Sequence, residues 1–292
     1  LGNNYLECKD EYSNLCNGNF HHIVYNYWIL KNNLKNKQYN LFLVTDVPKN
    51  IQKNDVVIFH YDTKDKIKIG KYKTVQVIGD FPEVQGVDFI VTHNKQMINK
   101  RTFFIHFPLP VNIIKFNPKF PPVNFTGVGA AHSFDKELSG KRFIQNCAYY
   151  GINFKIINNK NYCDIPTDVF VFLRDKKLPL YKKDNGEFLH PSSIWSPITG
   201  KTHRHANRLY QAWYMGIPSI LNRETTISGV VKSKYDTIFA ETPKELFAKM
   251  MFLKKDKKTF LRMIGRCKKR ANENCHKIIV QQYHEMFKQI CK

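Results

Sequence analysis

From residue 39 onward the chain repeats short runs of Val, Ile and Phe, separated by polar or amphipathic stretches. The runs Tyr39–Val44, Asp55–Phe59, Thr74–Ile78, Asp88–Thr92 and Thr102–Phe107 predict strands. They alternate only partly, as strands covered on both faces do. A helix over Phe20–Lys35 precedes the first of them, with a strand candidate at Tyr5–Cys8 ahead of that helix. Prolines then crowd the segment "FPLPVNIIKFNPKFPPVNF" (107–125). Proline has no amide proton for a ladder and restricts the residue before it, so this segment reads as a connector.

The pattern resumes beyond it. Strands are expected at Asn124–Val128, Phe154–Ile157, Val169–Leu173, Ser219–Leu221 and Thr237–Ala240, with helices over Lys136–Tyr150 and from His203 to Gly216. Thr242 and Glu245 form a capping box with Pro243 at the first helical position, and the basic tail from Lys257 is helical. This order predicts an α/β protein of two Rossmann-like domains with mostly parallel sheets, 1–120 and 121–271. The last helix, about 272–292, is expected to pack back on the first domain. Ligands of such sheets gather at the carboxyl ends of the strands, in a cleft when two domains face each other.

Composition narrows the partners. The 292 residues are enough for a large core, and the net charge of +22 points to anionic partners: nucleic acid, anionic lipid or phosphorylated small molecules. Lys, Asn, Ile, Phe and Tyr are abundant together, as AT-rich coding alone would produce, and Lys far outnumbers Arg. Lys is the solvated point charge, not the fork that reads bases. Seven cysteines, with no Cys-x-x-Cys pair, predict neither a zinc site nor a disulfide framework and fit a reducing compartment. No apolar run approaches about 18 residues, the length needed to span a bilayer. With no signal peptide visible, a cytoplasmic protein is expected, held peripherally at anionic membrane. The chain begins at Leu1 without Met, as one cut from something longer would.

The segment "THRHANRLYQAWYMGIPSIL" (202–221) carries the most specific chemistry. His203, Arg204, His205 and Arg208 cluster where a helix is expected to start, although helix starts disfavour cations. A bound anion would reverse that sign; the competing reading is a solvated basic face. Ala206, Leu209, Trp213 and Gly216 space as a buried stripe, and His203, Asn207 and Gln211 as a polar one.

"NRLYQAWYMGIPSIL" resembles the donor-site segment of GT-B glycosyltransferases, written N-R/K-L-x-E-A-x-x-x-G-x-P-x-I. "FTGVGAAHSFDKELSGKRFIQNCAYYGINFKI" is similar to the strand, glycine loop and helix that open their C-terminal domains, and "AETPKELFAKMMFLKKDKKTFLRMI" to their closing helices. The resemblance implies transfer of a sugar from a nucleotide-diphosphate sugar to a hydroxyl of a glycan or glycoconjugate acceptor, with no cofactor. It places phosphate and nucleotide contacts at Lys201, His203, Arg204 and Asn207. Retaining members carry two glutamates eight positions apart; here His203 and Gln211 stand there, leaving Gln211 to meet a ribose hydroxyl.

Other candidates each have an ordinary alternative. Gly127 and Gly129 would let backbone approach phosphates, or are turn glycines. Arg174, just past a strand, is a second phosphate clamp or a surface charge. Glu224 holds sugar or ribose hydroxyls, or caps the next helix. Asp80 in "GDFPE" is the first candidate base, or a turn-former; His22, His21 and His60 follow it. Trp195 would stack on a sugar, whereas Trp28 and Trp213 pack the core. No Asp-x-Asp lies at a strand end, and "DTKD" (62–65) reads as a turn, so no metal is expected. Arg, Lys and helix-start amides would then neutralise the diphosphate. Two rival functions stay open: a basic protein that binds or modifies nucleic acid, although no specific nucleic-acid motif appears, and a non-catalytic sugar-nucleotide binder.

Overall fold

The computed structural model describes residues 23–34, 39–42, 44, 46–78, 83–108, 115–128, 134–157, 165–173, 181–182, 188–189 and 206–291. These fall into two compact units. One contains the described residues up to 108 together with 181–182, 188–189, 206 and 274–291, and the other holds those within 115–173 and 207–273. The described helices include none long and apolar enough to cross a membrane.

In the first unit, α1 (Tyr25–Asn33) precedes four strands: β1 (Val56–His60), β2 (Lys73–Ile78), β3 (Phe89–Thr92) and β4 (Thr102–Phe104). All pair in parallel in the order β1-β2-β3-β4, with Ile58 opposite Val75 and Val77 opposite Val91. The terminal helix α7 (His276–Ile290) belongs to this unit. Its Ile279, Tyr283, Met286, Phe287 and Ile290 recur at helical spacing and share a core with Val75, Val77, Val91, Ile105 and Leu30. Each such side chain, once buried, contributes roughly 1.5–3 kcal/mol. Lys73 Nζ donates to the Ile290 carbonyl at 2.6 Å, and the His106 amide to Gln282 Oε1 at 3.0 Å.

Two local expectations differ here. The described part of 39–44 makes no strand. Tyr39 and Leu41 reach the core while Phe42 is 80% exposed, so alternation is present without a ladder partner. Residues 62–65 lie within a short 3₁₀ helix, Tyr61–Lys66, rather than a simple turn.

The second unit holds β5 (Asn124–Val128), α2 (Lys141–Tyr149), β6 (Asn153–Ile157) and β7 (Val169–Phe172). The two-residue strands β8 (Tyr181–Lys182) and β9 (Phe188–Leu189) pair antiparallel and belong to the first unit, not to this second one. The unit continues with α3 (Asn207–Met215), β10 (Ser219–Leu221), α4 (Thr225–Val230), β11 (Ile238–Phe239), α5 (Pro243–Lys255) and α6 (Lys257–Glu273). Its five strands are parallel, in the order β11-β10-β7-β5-β6. From β5 the chain moves to one side of the sheet, and from β7 to the other. The gap between these strands is therefore the topological switch point, where a crevice opens at their carboxyl ends.

Capping chemistry sets several boundaries. Thr242 Oγ1 accepts from the Glu245 amide at 3.2 Å, while the Glu245 carboxylate takes the Glu241 amide at 2.8 Å, one residue earlier than a reciprocal box requires. Gly216, at φ +75°, ends α3, a backbone that side-chain-bearing residues rarely adopt. The helix expected from Lys136 is broken: a 3₁₀ turn covers Lys136–Ser139, and α2 begins only after the extended Gly140.

Candidate functional site

Three strand ends and one helix start meet around the switch point of the second unit. α3 begins at Asn207, since Ala206 is not helical, so the helix expected from residue 203 is shorter at its start. Arg208 is then the one cation within α3, and it lies in the first turn, where the helix dipole disfavours positive charge. The stripe of three polar positions reduces, within α3, to Asn207 and Gln211, both half-buried on one face.

Arg208 joins this helix to the sheet. Its guanidinium lies over the ring of Phe172, the last residue of β7, with 5.3 Å to the centroid, and donates to Gln211 Oε1 at 3.2 Å. The Gln211 amide is thus oriented by a neighbouring cation one turn earlier. Asn222, just past β10, donates its amide proton to the Phe172 carbonyl at 3.1 Å. Its side chain lies 3.5 Å from Glu224 Oε1. Glu224 precedes α4 but makes no side-chain capping bond, so capping does not explain its place.

Gly127, one residue before the end of β5, has a packing reason to be glycine. A β-carbon there would sit 2.8 Å from the Phe134 ring and 3.3 Å from the Val171 carbonyl. Phe134 in turn stands edge-on to Phe172, with centroids 4.9 Å apart. Gly127, Asn207, Gln211 and Glu224 therefore belong to the carboxyl-end side of one sheet. Gly129, Arg174, Trp195, Lys201, His203 and Arg204 lie outside the described residues, as do Asp80, His21 and His22.

What holds α3 in place escaped the sequence reading. Trp213 Nε1 donates to the Asp236 carbonyl at 2.9 Å. The fully buried Asp236 carboxylate accepts from Arg266 Nε at 2.8 Å and from Arg270 at 2.7 and 3.0 Å. The amides of Lys232 and Ser233 complete its shell at 2.8 and 3.0 Å. Burial alone would raise this carboxyl, but the hydrogen bonds from Arg270 and Arg266 outweigh it and hold it below the ordinary range. Arg270, 2% exposed, faces the Trp213 ring at 5.7 Å and also bonds Glu273. No helical or strand period marks such a cluster; only the odd placement of Arg270 on the buried stripe of α6 hints at it.

In the first unit, the carboxyl ends of β1 and β3 carry His60 and, just beyond β3, His93. Both are buried. His93 Nδ1 is 2.7 Å from the Ile105 carbonyl, and its ring stands edge-on to Phe107. A carbonyl only accepts, so Nδ1 carries a proton, and the lone pair of the ring in its neutral form is on Nε2. His93 was missed because a histidine one residue beyond a strand has no signature of its own.

No protein-family model matches the sequence, and no curated protein matches it. Solved structures do. The GtfA/B complex is similar with a TM-score of 0.55 at 9% identity, over 92% of this chain and 60% of that one. The pneumococcal O-GlcNAc transferase GtfA in complex with UDP and GlcNAc gives a TM-score of 0.52 at 9% identity, over 82% and 58%. A variant of S. aureus TarM in complex with fondaparinux, alpha-GlcNAc-glycerol and UDP gives 0.50 at 7%, over 75% and 51%. The chain thus spans between half and three fifths of these proteins. At such identities the likeness speaks for fold alone, and with two parallel α/β units already described it is specific: the chain has the GT-B fold.

Proposed function

We propose that this chain transfers a sugar from a nucleotide-diphosphate sugar to a hydroxyl of a glycan or glycoconjugate acceptor, without a metal. The observation that carries the reading is the switch point of the second unit, where the Arg208–Gln211 pair of α3 meets the end of β7. The GT-B fold supports it, as does a similar structure described in complex with UDP and GlcNAc.

In this reading Lys201, Arg204 and Arg174 meet the diphosphate with the backbone at the end of β5 and just past it, at Gly127 and Gly129. Charge leaving with the nucleoside diphosphate is stabilised by these cations and amides, set before the bond breaks. Asn207 and His203 contact the nucleotide, while Gln211 and Glu224 face ribose or sugar hydroxyls. Gln211, oriented by Arg208, supplies a neutral bond where a carboxylate would supply a stronger one. A base must take the proton of the acceptor hydroxyl if the transfer inverts. Asp80 and His22 are the candidates from sequence, and His93 joins them for its fixed tautomer.

Thermal-shift measurements with UDP-, GDP-, dTDP-, ADP- and CMP-sugars, with divalent metal or chelator, test this. One base class should raise Tm equally in both; a ligand at 100 times its Kd stabilises by about 2.7 kcal/mol. No shift with any donor would overturn the proposal. A shift without release of nucleoside diphosphate to any acceptor would leave a sugar-nucleotide binder.

A further inference from the structure

The face of the second unit formed by α2 and α5 combines exposed apolar side chains with excess positive charge. Tyr149 is 84% exposed, Tyr150 48%, Ile144 44% and Phe252 43%. Single exposed apolar residues are ordinary, but these lie on two neighbouring helices. Phe247 of α5 packs edge-on against both Phe143 and Tyr150. Lys254 Nζ clamps the end of α2 by donating to the Tyr150 and Gly151 carbonyls at 2.7 and 2.8 Å. The tyrosine tip is therefore presented on a fixed support.

Around it, residues 141–155 and 244–255 hold seven Lys and Arg against one carboxylate. That carboxylate is turned to the backbone of the helix start, where Glu245 takes the Glu241 amide. What this face offers outward is lysine charge interleaved with tyrosine, phenylalanine and isoleucine.

We propose that the α2–α5 face docks on an anionic lipid bilayer. Tyr149 and Tyr150 enter the headgroup layer, Ile144 and Phe252 meet the acyl boundary, and the lysines lie among lipid phosphates. Tyrosine is favoured at that depth, and each lysine near such a surface contributes about fivefold in partitioning. Single-stranded nucleic acid would also use lysine and tyrosine, but an aliphatic Ile144 offers it no stacking face. A bilayer accepts all four side chains. The proposal stands independently of the transferase reading.

Co-sedimentation of the whole chain with phosphatidylcholine vesicles, with and without phosphatidylglycerol, tests it. Binding should require phosphatidylglycerol and weaken with salt. Lys244→Gln, Lys249→Gln and Lys255→Gln together should lower partitioning about a hundredfold. Tyr149→Ser with Phe252→Ser, which leaves charge intact, should lower it about tenfold or more. All five positions are exposed, and unchanged thermal melts verify folding. Failure of the wild-type chain to sediment with anionic vesicles would overturn the proposal. So would wild-type binding by either variant, or binding of single-stranded RNA with the same lysine dependence and none on Tyr149 and Phe252.

Discussion

Replacing Asp236 by Asn keeps the shape of the side chain and removes its charge. The Arg270 guanidinium, 2% exposed, then loses its main counter-charge while keeping Glu273, and Arg266 loses its bond to the same carboxylate. Removing one member of a buried ion pair costs about 3–5 kcal/mol, because the remaining charge stays out of water. Arg270→Met should cost less, since Asp236 would retain Arg266 and the amides of Lys232 and Ser233. The double variant should fall short of the sum by more than about 1 kcal/mol, the mark of groups in one network. Burial pushes the Asp236 carboxyl up, but the arginine hydrogen bonds bring it below its unfolded value of about 4. Its stabilisation is therefore complete above that pH and is lost as pH falls through the folded value. The gap between wild type and Asp236→Asn should narrow below about pH 4. Two units need not unfold together, so the proper readout is native-state hydrogen exchange of peptides from α3 and α6, alongside urea unfolding followed by circular dichroism. A loss under about 1 kcal/mol, or strictly additive single variants, would refute the reasoning.

Three further outcomes are expected. Gly127→Ala should destabilise by about 1–3 kcal/mol in thermal unfolding, since its β-carbon lands 2.8 Å from the Phe134 ring. His93→Gln should lower kcat by about 10²–10⁴ with donor affinity unchanged, if Nε2 takes the acceptor proton; equal activity would remove it from the mechanism. Burial pushes the Cys147 thiol up to about 11 and, with Asp236 adding to it, Cys267 up to about 12. Iodoacetamide followed by peptide mapping should therefore label the exposed Cys291 in the native chain and reach Cys147 and Cys267 only after unfolding.

Most strands were legible because each is a short apolar run bounded by turn residues, and Asn124–Val128 and Ser219–Leu221 agree to the residue. Tyr39–Val44 failed for a physical reason: alternation shows which side chains turn inward, whereas a strand needs a partner backbone, which periodicity cannot supply. The start of α3 was placed too early because the amphipathic stripe extends back past Ala206, although Ala206 is outside the helix. At the candidate site, the donor-segment pattern picked out Asn207 and Gln211, but not that Arg208 would fix Gln211 and cover Phe172.

By itself, then, the sequence determined the α/β class, the succession of elements, the capped start at Thr242 and the amphipathic stripes of α3 and α7, since these depend on residues a few positions apart. Tertiary structure alone decided the strand order that puts the switch point between β5 and β7. It also decided the burial of Asp236 with Arg266 and Arg270, the tautomer of His93 and the joining of α2 to α5 into one basic, aromatic face. Those features rest on groups tens of residues apart, and local spacing carries no record of which distant partner a side chain will meet.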